Sequence, residues 1–346
     1  MSSDEPLSTD AGFEELSSAA QVRRLRASAW AALRDYPVDV ARLRLLNHGY
    51  NTTFRVDTAD GAKFALRINT NSRKTLAALR AEMAWLAALS SDTDVWVPTP
   101  QRTRDGHLHA EVHSPDLGRV LPAALFAWLP GRDLRHAATP GRLMEVGRTM
   151  AALHAHTERW QLPAGAALPG LHTVLLDTPN HLVEPHAELT AARREVVSAA
   201  FAQVQQQLDS LFVGATTQVL HADLHLDNLK WWRGRLSVFD FDDCGVGVPV
   251  QDLAMSAFYL RPRLELEAAL HEGYASVRPL PMATQAQYEA VVASRDLVLL
   301  NDLLVTPTAE LRAMLPTYAE NSYRKLRHYL AKGTFRHDLP GTVTLF

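Results

Sequence analysis

Residues 219–245 read VLHADLHLDNLKWWRGRLSVFDFDDCG, and this stretch limits what the chain can fold into more than any other. Two β-prone runs, NLKWW and RLSVFDF, flank Arg233-Gly234, the pattern of a tight hairpin. A hairpin folds its two ends together, so Asn228 and Asp240 arrive side by side and can share one divalent cation. Magnesium takes hard oxygen ligands, few of them from protein, with phosphates and water filling the rest. One Asn carbonyl and one Asp carboxylate fit that habit, and Asp242 is a further candidate ligand. Asp223, on the loop before Asn228, can then accept a proton from an attacking hydroxyl. Two other readings stay open. His221, Asp223, His225 and Asp240 could hold a metal that activates water, or the segment could be a solvated surface hairpin.

The rest of the composition narrows the class. The sequence has 346 residues, 47% of them hydrophobic, enough for a substantial core in one large or two smaller domains. A net charge of −3 offers no basic footprint for nucleic acid or an anionic membrane. Cys244 is the only cysteine, which rules out an intrachain disulfide and a cysteine-rich zinc site. No apolar run approaches membrane-spanning length and the acidic start lacks a secretory pattern, so a soluble, cytoplasmic protein is expected. Residues 1–18 read as a disordered lead-in.

Along the chain the hydrophobic period changes. Three short β-prone runs (42–47, 52–58, 62–69) are separated by the turns His48-Gly49-Tyr50-Asn51 and Ala59-Asp60-Gly61. In 72–91, Leu76, Leu79, Met83 and Leu86 form one helical stripe. Two more extended runs follow, 107–112 and 119–128, ending at Leu129-Pro130-Gly131. Beyond that the pattern is helical: Pro140 opens a helix carrying Leu143, Val146, Met150 and Leu153 on one face, 185–211 read as a further long helix, and most of 249–346 is helical. The expected architecture is α+β, with a β-rich lobe over 19–127, a hinge near 126–131 and a larger helical lobe over 128–346.

The H-x-D-x-x-x-x-N pattern, LHADLHLDNL, followed by a strand ending in Asp and by VFDFDDCGVGVPVQDLA, resembles the aminoglycoside phosphotransferase and choline kinase superfamily. The version here looks most like its homoserine-kinase-type and stress-response-kinase-type branch. The resemblance covers roughly 42–260 and implies a bilobal protein-kinase-like fold, ATP and magnesium as cofactors, and a hydroxyl-bearing acceptor, most simply a small molecule. It implies that Asp223 is the base, that Asn228 and Asp240 hold magnesium and that Asp252 of QDLA supports the loop; His221 reads more simply as a loop-supporting hydrogen-bonder than as a ligand. LLNHGYNTTFRV occupies the place of the phosphate-covering loop, so Asn51, Thr52 and Thr53 would meet phosphate oxygens through backbone N–H groups and hydroxyls. In FALRI, Arg67 stands where the family presents a lysine, and Glu82 stands where the family places its partner. FAWLPG resembles the hinge whose backbone meets adenine, which assigns Ala127 and Trp128 to the nucleotide.

Three departures qualify the likeness. Arg67 is bulkier than lysine, although it keeps the charge and offers a bidentate fork. Asp227 stands where many relatives have glycine. The Arg of H-R-D and a following A-P-E are absent, which argues against control by activation-loop phosphorylation. A protein Ser/Thr kinase of the same fold and a non-catalytic pseudokinase are the remaining alternatives. The acceptor's identity is not legible in the motif.

Overall fold

A meander of three strands begins the sheet because Asp60-Gly61 supplies a turn that few other pairs can make. Gly61 has φ +86°, its amide bonds Thr58 O at 3.1 Å, and Thr58 N closes the turn on Ala62 O at 3.0 Å. In the computed structural model, which describes residues 12–13, 16–70, 74–306 and 309–343, the strands are β1 (Val40–His48), β2 (Thr52–Thr58) and β3 (Lys63–Ile68). β4 (Ala110–Ser114) and β5 (Arg119–Ala127) complete an antiparallel sheet of order β1-β2-β3-β5-β4. Strict alternation along β2 sends Phe54 and Val56 into the core. The fourth run starts at Ala110 instead of 107 because Gly106, at φ +85°, first turns the chain back on Thr103.

The chain divides into two compact units, the first running to Ser91 with Val97–Leu129 and Leu162–Ala167, the second taking Asp92–Trp96, Pro130–Gln161 and Leu168 onward. In the first, two helices accompany the sheet. The helix α1 (Ser18–Leu33) was not expected from sequence: its buried face, Val22, Leu25, Ala29, Ala32 and Leu33, also includes Ser28, while Trp30 on the same helix is exposed, which blurs the stripe. Ser17 caps it. Most of the expected lead-in lies outside the described residues; of the rest, Phe13 packs with α1 in the core. In α2 (Leu76–Asp92), Leu79, Met83 and Leu86 are buried as their spacing implies, but Leu76, in the first turn, is 37% exposed. The start of the run assigned to this helix, residues 72–73, lies outside the described residues.

The second unit is helical around short strands. It holds β6 (Arg132–Asp133), α3 (Pro140–Thr157), α4 (Ala191–Phe212), β7 (Gln218–Leu220), β8 (Leu229–Trp232), β9 (Arg235–Val238) and β10 (Gly245–Gly247), then α5 (Val250–Leu260), α6 (Leu264–Ala275), α7 (Gln285–Leu304) and α8 (Ala309–Lys332). β6, β8 and β9 form one small sheet, and β7 pairs with β10. The long helix begins six residues later than the sequence pattern suggests, at the Thr190 cap. α3 and α6 cross at backbone contact. A Cβ on Gly147 would lie 2.1 Å from Leu270 O, and one on Gly273 would lie 2.0 Å from Met144 O. Among the described residues no helix is long and apolar enough to cross a membrane.

That crossing makes a sign-sensitive prediction. In an ordinary helix interior Gly→Ala stabilises by about 0.5–1 kcal/mol, whereas forcing a methyl group into a packed backbone contact costs roughly 1–3 kcal/mol. Gly273→Ala is therefore expected to lower the urea midpoint of unfolding, and a raised midpoint would show that the helices can separate at no cost.

Candidate active site

The loop after β7 carries a non-glycine residue in the left-handed region, Ala222 at φ +63°, a conformation that must be held by its surroundings. The holder is Asp252 in the first turn of α5, with no solvent exposure. Its Oδ1 accepts from Ala222 N at 2.7 Å and its Oδ2 from His221 N at 3.2 Å. Oδ2 also accepts from His154 Nε2 at 3.0 Å, while His154 Nδ1 meets the Tyr274 hydroxyl at 2.9 Å. Burial pushes the Asp252 pKa up, but the His154 hydrogen bond and charge, with His221 and the Ala222 amide, bring it below the ordinary carboxylate value. His221 is also buried: Nδ1 accepts from Asp223 N at 3.3 Å and Nε2 donates to Phe239 O at 3.2 Å. With both ring nitrogens committed to backbone, burial keeps the imidazole neutral by lowering its pKa.

The strained loop presents Asp223, whose carboxylate is gripped on both oxygens. Oδ1 accepts from Arg295 Nη2 at 2.5 Å, and Oδ2 accepts from Asn228 Nδ2 at 3.1 Å, with His225 Nε2 3.4 Å away. Burial raises the Asp223 pKa, yet the Arg295 charge and the His225 hydrogen bond outweigh it and hold the group at about 2. His225 shows the converse: desolvation lowers its pKa, while Asp223 on one side and Asp227 on the other push it up to about 9. Asp227 in turn pairs with Arg135. Arg135, Asp227, His225, Asp223 and Arg295 thus alternate in charge along one line.

The β8–β9 hairpin turns at Arg233 and Gly234, both at positive φ, and Phe239 N bonds Asn228 O at 3.0 Å across its open end. This brings the backbone of Asn228 against the strand that leads into Asp240. The Asn228 Nδ2 is engaged with Asp223, both side chain and carbonyl, so the amide oxygen is the atom oriented for a cation. Asp240 is exposed, in the left-handed region at φ 63°, ψ 64°. Asp242 is half-buried and Asp243 exposed in the short turn that follows. Among the described residues no three His, Cys, Asp or Glu side chains converge as a metal site. With His221 turned onto backbone, the four-residue hydrolase cluster is not assembled.

In the first unit, Arg67 and Glu82 form a bidentate pair, Nη1 to Oε1 at 2.8 Å and Nη2 to Oε2 at 2.6 Å, 7% and 2% exposed. The Arg67 guanidinium also lies 5.4 Å from the Phe126 ring centre. Thr52 is fully buried, its hydroxyl bonded to His48 Nδ1 at 2.8 Å and Thr70 Oγ1 at 2.9 Å. The hydroxyl contact expected from it is therefore replaced by a core network. Thr53 is half-buried, as alternation along β2 requires, and Asn51, in the turn before β2, is half-buried too. Ala127 donates its amide to Thr99 O at 2.9 Å, which removes that donor from the expected hinge contacts, and the half-buried Trp128 ring lies 5.4 Å from the Arg55 guanidinium.

Sequence reading passed over Arg295, Tyr259, Arg135 and the role of His154. The one available signal was the Arg-Asp pair inside the apolar run VVASRDLVLL on α7, a charged interruption that a buried helix tolerates only with partners.

Comparison with known proteins follows the same residues. The phosphotransferase enzyme family matches residues 42–280. An uncharacterized protein of Synechocystis sp. is 26% identical over 272 residues, 75% of this chain and 72% of its own. An amicoumacin kinase of Bacillus subtilis is 25% identical over 205 residues, 57% of this chain and 56% of its own. The solved structure of a microcompartment-associated aminopropanol kinase is similar at TM-score 0.78 and 29% identity, covering 90% of this chain and 99% of its own. An amicoumacin kinase in complex with AMP-PNP, Ca2+ and Ami shares the fold at TM-score 0.72 and 19% identity, covering 89% and 96%.

Removing Asp252 leaves two buried amides and a buried histidine without their acceptor, so Asp252→Ala is expected to cost roughly 3–5 kcal/mol in denaturant unfolding near neutral pH. Because the folded pKa of Asp252 is depressed, its contribution is full above the unfolded value and is lost as pH falls through the folded one. The gap between wild type and variant should therefore narrow below about pH 4. A small, pH-independent gap would contradict the role given to this carboxylate.

Proposed function

The chain belongs to the phosphotransferase enzyme family and is a kinase, and on that premise we propose that it transfers the γ-phosphoryl group of Mg-ATP to a hydroxyl of a small amino alcohol. The observation that carries the chemistry is the Asp223 carboxylate, held ionised and gripped beside Asn228 at the open end of the hairpin. The amino alcohol follows from the likeness to the aminopropanol kinase over 90% of the chain. The second reading, a metal-water hydrolase, lacks its ligand cluster among the described residues.

Asn228 and Asp240 fit magnesium, since two hard oxygens from protein are what this ion ordinarily takes beside phosphate and water. Asn228 and Asp240 would hold the ion, which would supply positive charge against that developing on the phosphates. The chain's own residues do the rest. Asp223 accepts a hydrogen bond from the acceptor hydroxyl and aims its oxygen in line with the γ-phosphorus. A carboxylate held at about 2 is a poor resting place for a proton in the ground state. It therefore orients first, and takes the proton once the new P–O bond has drawn charge from the hydroxyl as the bond to ADP breaks. Arg67, fixed by Glu82, is proposed as the phosphate-contacting cation of the first unit. Asn51, Thr53, Ala127 and Trp128 are proposed as further nucleotide contacts, and a cytoplasmic site of action accords with the single cysteine.

Two measurements test this. An ATP-consumption screen over 1-amino-2-propanol, ethanolamine, homoserine, hexoses and aminoglycosides should favour the amino alcohols by about tenfold or more in kcat/KM; preference for a sugar or an aminoglycoside would overturn the acceptor class. Asp223→Asn should lower kcat by roughly 10²–10⁴ with little change in the KM for Mg-ATP. Full turnover in that variant would remove Asp223 from the reaction.

A further inference from the structure

Arg295 belongs to α7, far in sequence from the catalytic loop, yet its guanidinium meets the Asp223 carboxylate. Besides the Nη2 bond to Asp223 Oδ1, Nε donates to the Tyr259 hydroxyl at 2.8 Å, and the guanidinium carbon lies 5.6 Å from the Tyr259 ring centre. The Tyr259 ring packs on the His225 ring, centroids 4.7 Å apart, and His225 Nε2 returns to Asp223 Oδ2 at 3.4 Å. Four side chains from the loop, α5 and α7 therefore close a ring around one carboxylate.

Two physical points set this ring apart from ordinary scaffolding. Arg295 is 9% exposed, in a helix where Val291, Val292 and Val298, three or four positions away, are also buried. Well-packed apolar residues in place of a buried ion pair are often neutral or stabilising, so the pair is weak evidence of a contribution to stability. Secondly, a single hydrogen bond leaves a carboxylate free to rotate. Donors on both oxygens, Arg295 on Oδ1 and Asn228 on Oδ2, fix its plane as well as its position.

We propose that Arg295, itself steadied by Tyr259, is a positioning residue for phosphoryl transfer, setting the direction in which Asp223 meets the acceptor hydroxyl. The inference rests on the reading of Asp223 as the acceptor-orienting carboxylate. Arg295 acts only through Asp223, so its loss should touch turnover and leave nucleotide binding alone.

The test uses full-length Arg295→Ala, Arg295→Lys and Tyr259→Phe, assayed with Mg-ATP and 1-amino-2-propanol. In Arg295→Ala, kcat is expected to fall about 10²-fold while the KM for Mg-ATP stays within about twofold, because misplacing a reacting group costs rate and not ground-state affinity. Guanidinium at about 50 mM should restore part of the loss where the same ionic strength of NaCl does not. Arg295→Lys, keeping the charge without the fork, should fall between the two, and Tyr259→Phe should lose about threefold to tenfold. A folded Arg295→Ala with wild-type kcat, or with a loss confined to KM, overturns the proposal. A second arm is independent of turnover: in a crystal structure of Arg295→Ala, or of Arg295→Lys should the first not fold, the Asp223 carboxylate is expected to leave its wild-type rotamer. An unmoved carboxylate overturns the proposal equally. If wild type transfers phosphate to no acceptor, the functional reading fails, while the crystallographic arm still decides the positioning claim.

Discussion

Asp252 places a fully buried carboxylate under the loop that follows β7, and three donors converge on it: the amides of His221 and Ala222, and His154 Nε2. A left-handed alanine costs on the order of 1–3 kcal/mol, and these bonds hold it in place. The support reaches further back. His154 is braced by the Tyr274 hydroxyl, and Tyr274 follows Gly273, where α6 crosses α3 at backbone contact. Two glycines on a helix crossing thus stand at the far end of a hydrogen-bonded chain, tyrosine, histidine and aspartate, that ends at the backbone from which Asp223 projects. The strain sits one residue from the proposed chemistry, and the scaffold that supports it is among the most deeply buried polar chemistry described in the chain.

Electrostatics then sorts residues that composition leaves alike. Asp223, Asp227 and Asp252 are all carboxylates on or under one loop, yet their partners differ in kind: a guanidinium on α7 with an amide and a histidine, an exposed arginine beside a histidine, and two backbone amides with a buried histidine. His221 and His225 diverge more sharply. The first is buried against backbone carbonyl and amide and stays neutral; the second lies between two carboxylates and stays charged. Alternating charge along the line from Arg135 to Arg295 means that no member is desolvated without an opposite neighbour, the condition under which buried charges are tolerated.

Much of this was readable beforehand because it is local. The Asp60-Gly61 and Arg233-Gly234 turns, the alternation of β2 and the stripe of α3 each depend on residues a few positions apart, and each forms where the pattern places it. The α+β division and the family likeness rested on such local patterns too. What escaped depends on distance or on a blurred local pattern. The buried face of α1 mixes Val22, Leu25 and Leu33 with Ser28 and two alanines, and Trp30 is exposed, so the hydrophobic contrast between its faces is weak. Thr52 was assigned to phosphate on the family likeness, but the alternation of β2 turns it inward, where its hydroxyl meets His48 and Thr70. Arg295 and Tyr259 reach Asp223 only after α5 and α7 pack against the loop, and no spacing rule relates positions so far apart.

The central claim is direct in-line transfer of a phosphoryl group to a hydroxyl aimed by Asp223. The stereochemical course at phosphorus tests it most directly. With ATP made chiral at the γ-phosphorus by oxygen isotopes and 1-amino-2-propanol as acceptor, the account predicts a phosphomonoester formed with inversion of configuration. Retention, which requires an intervening phosphoenzyme, or inorganic phosphate as the only product would contradict it.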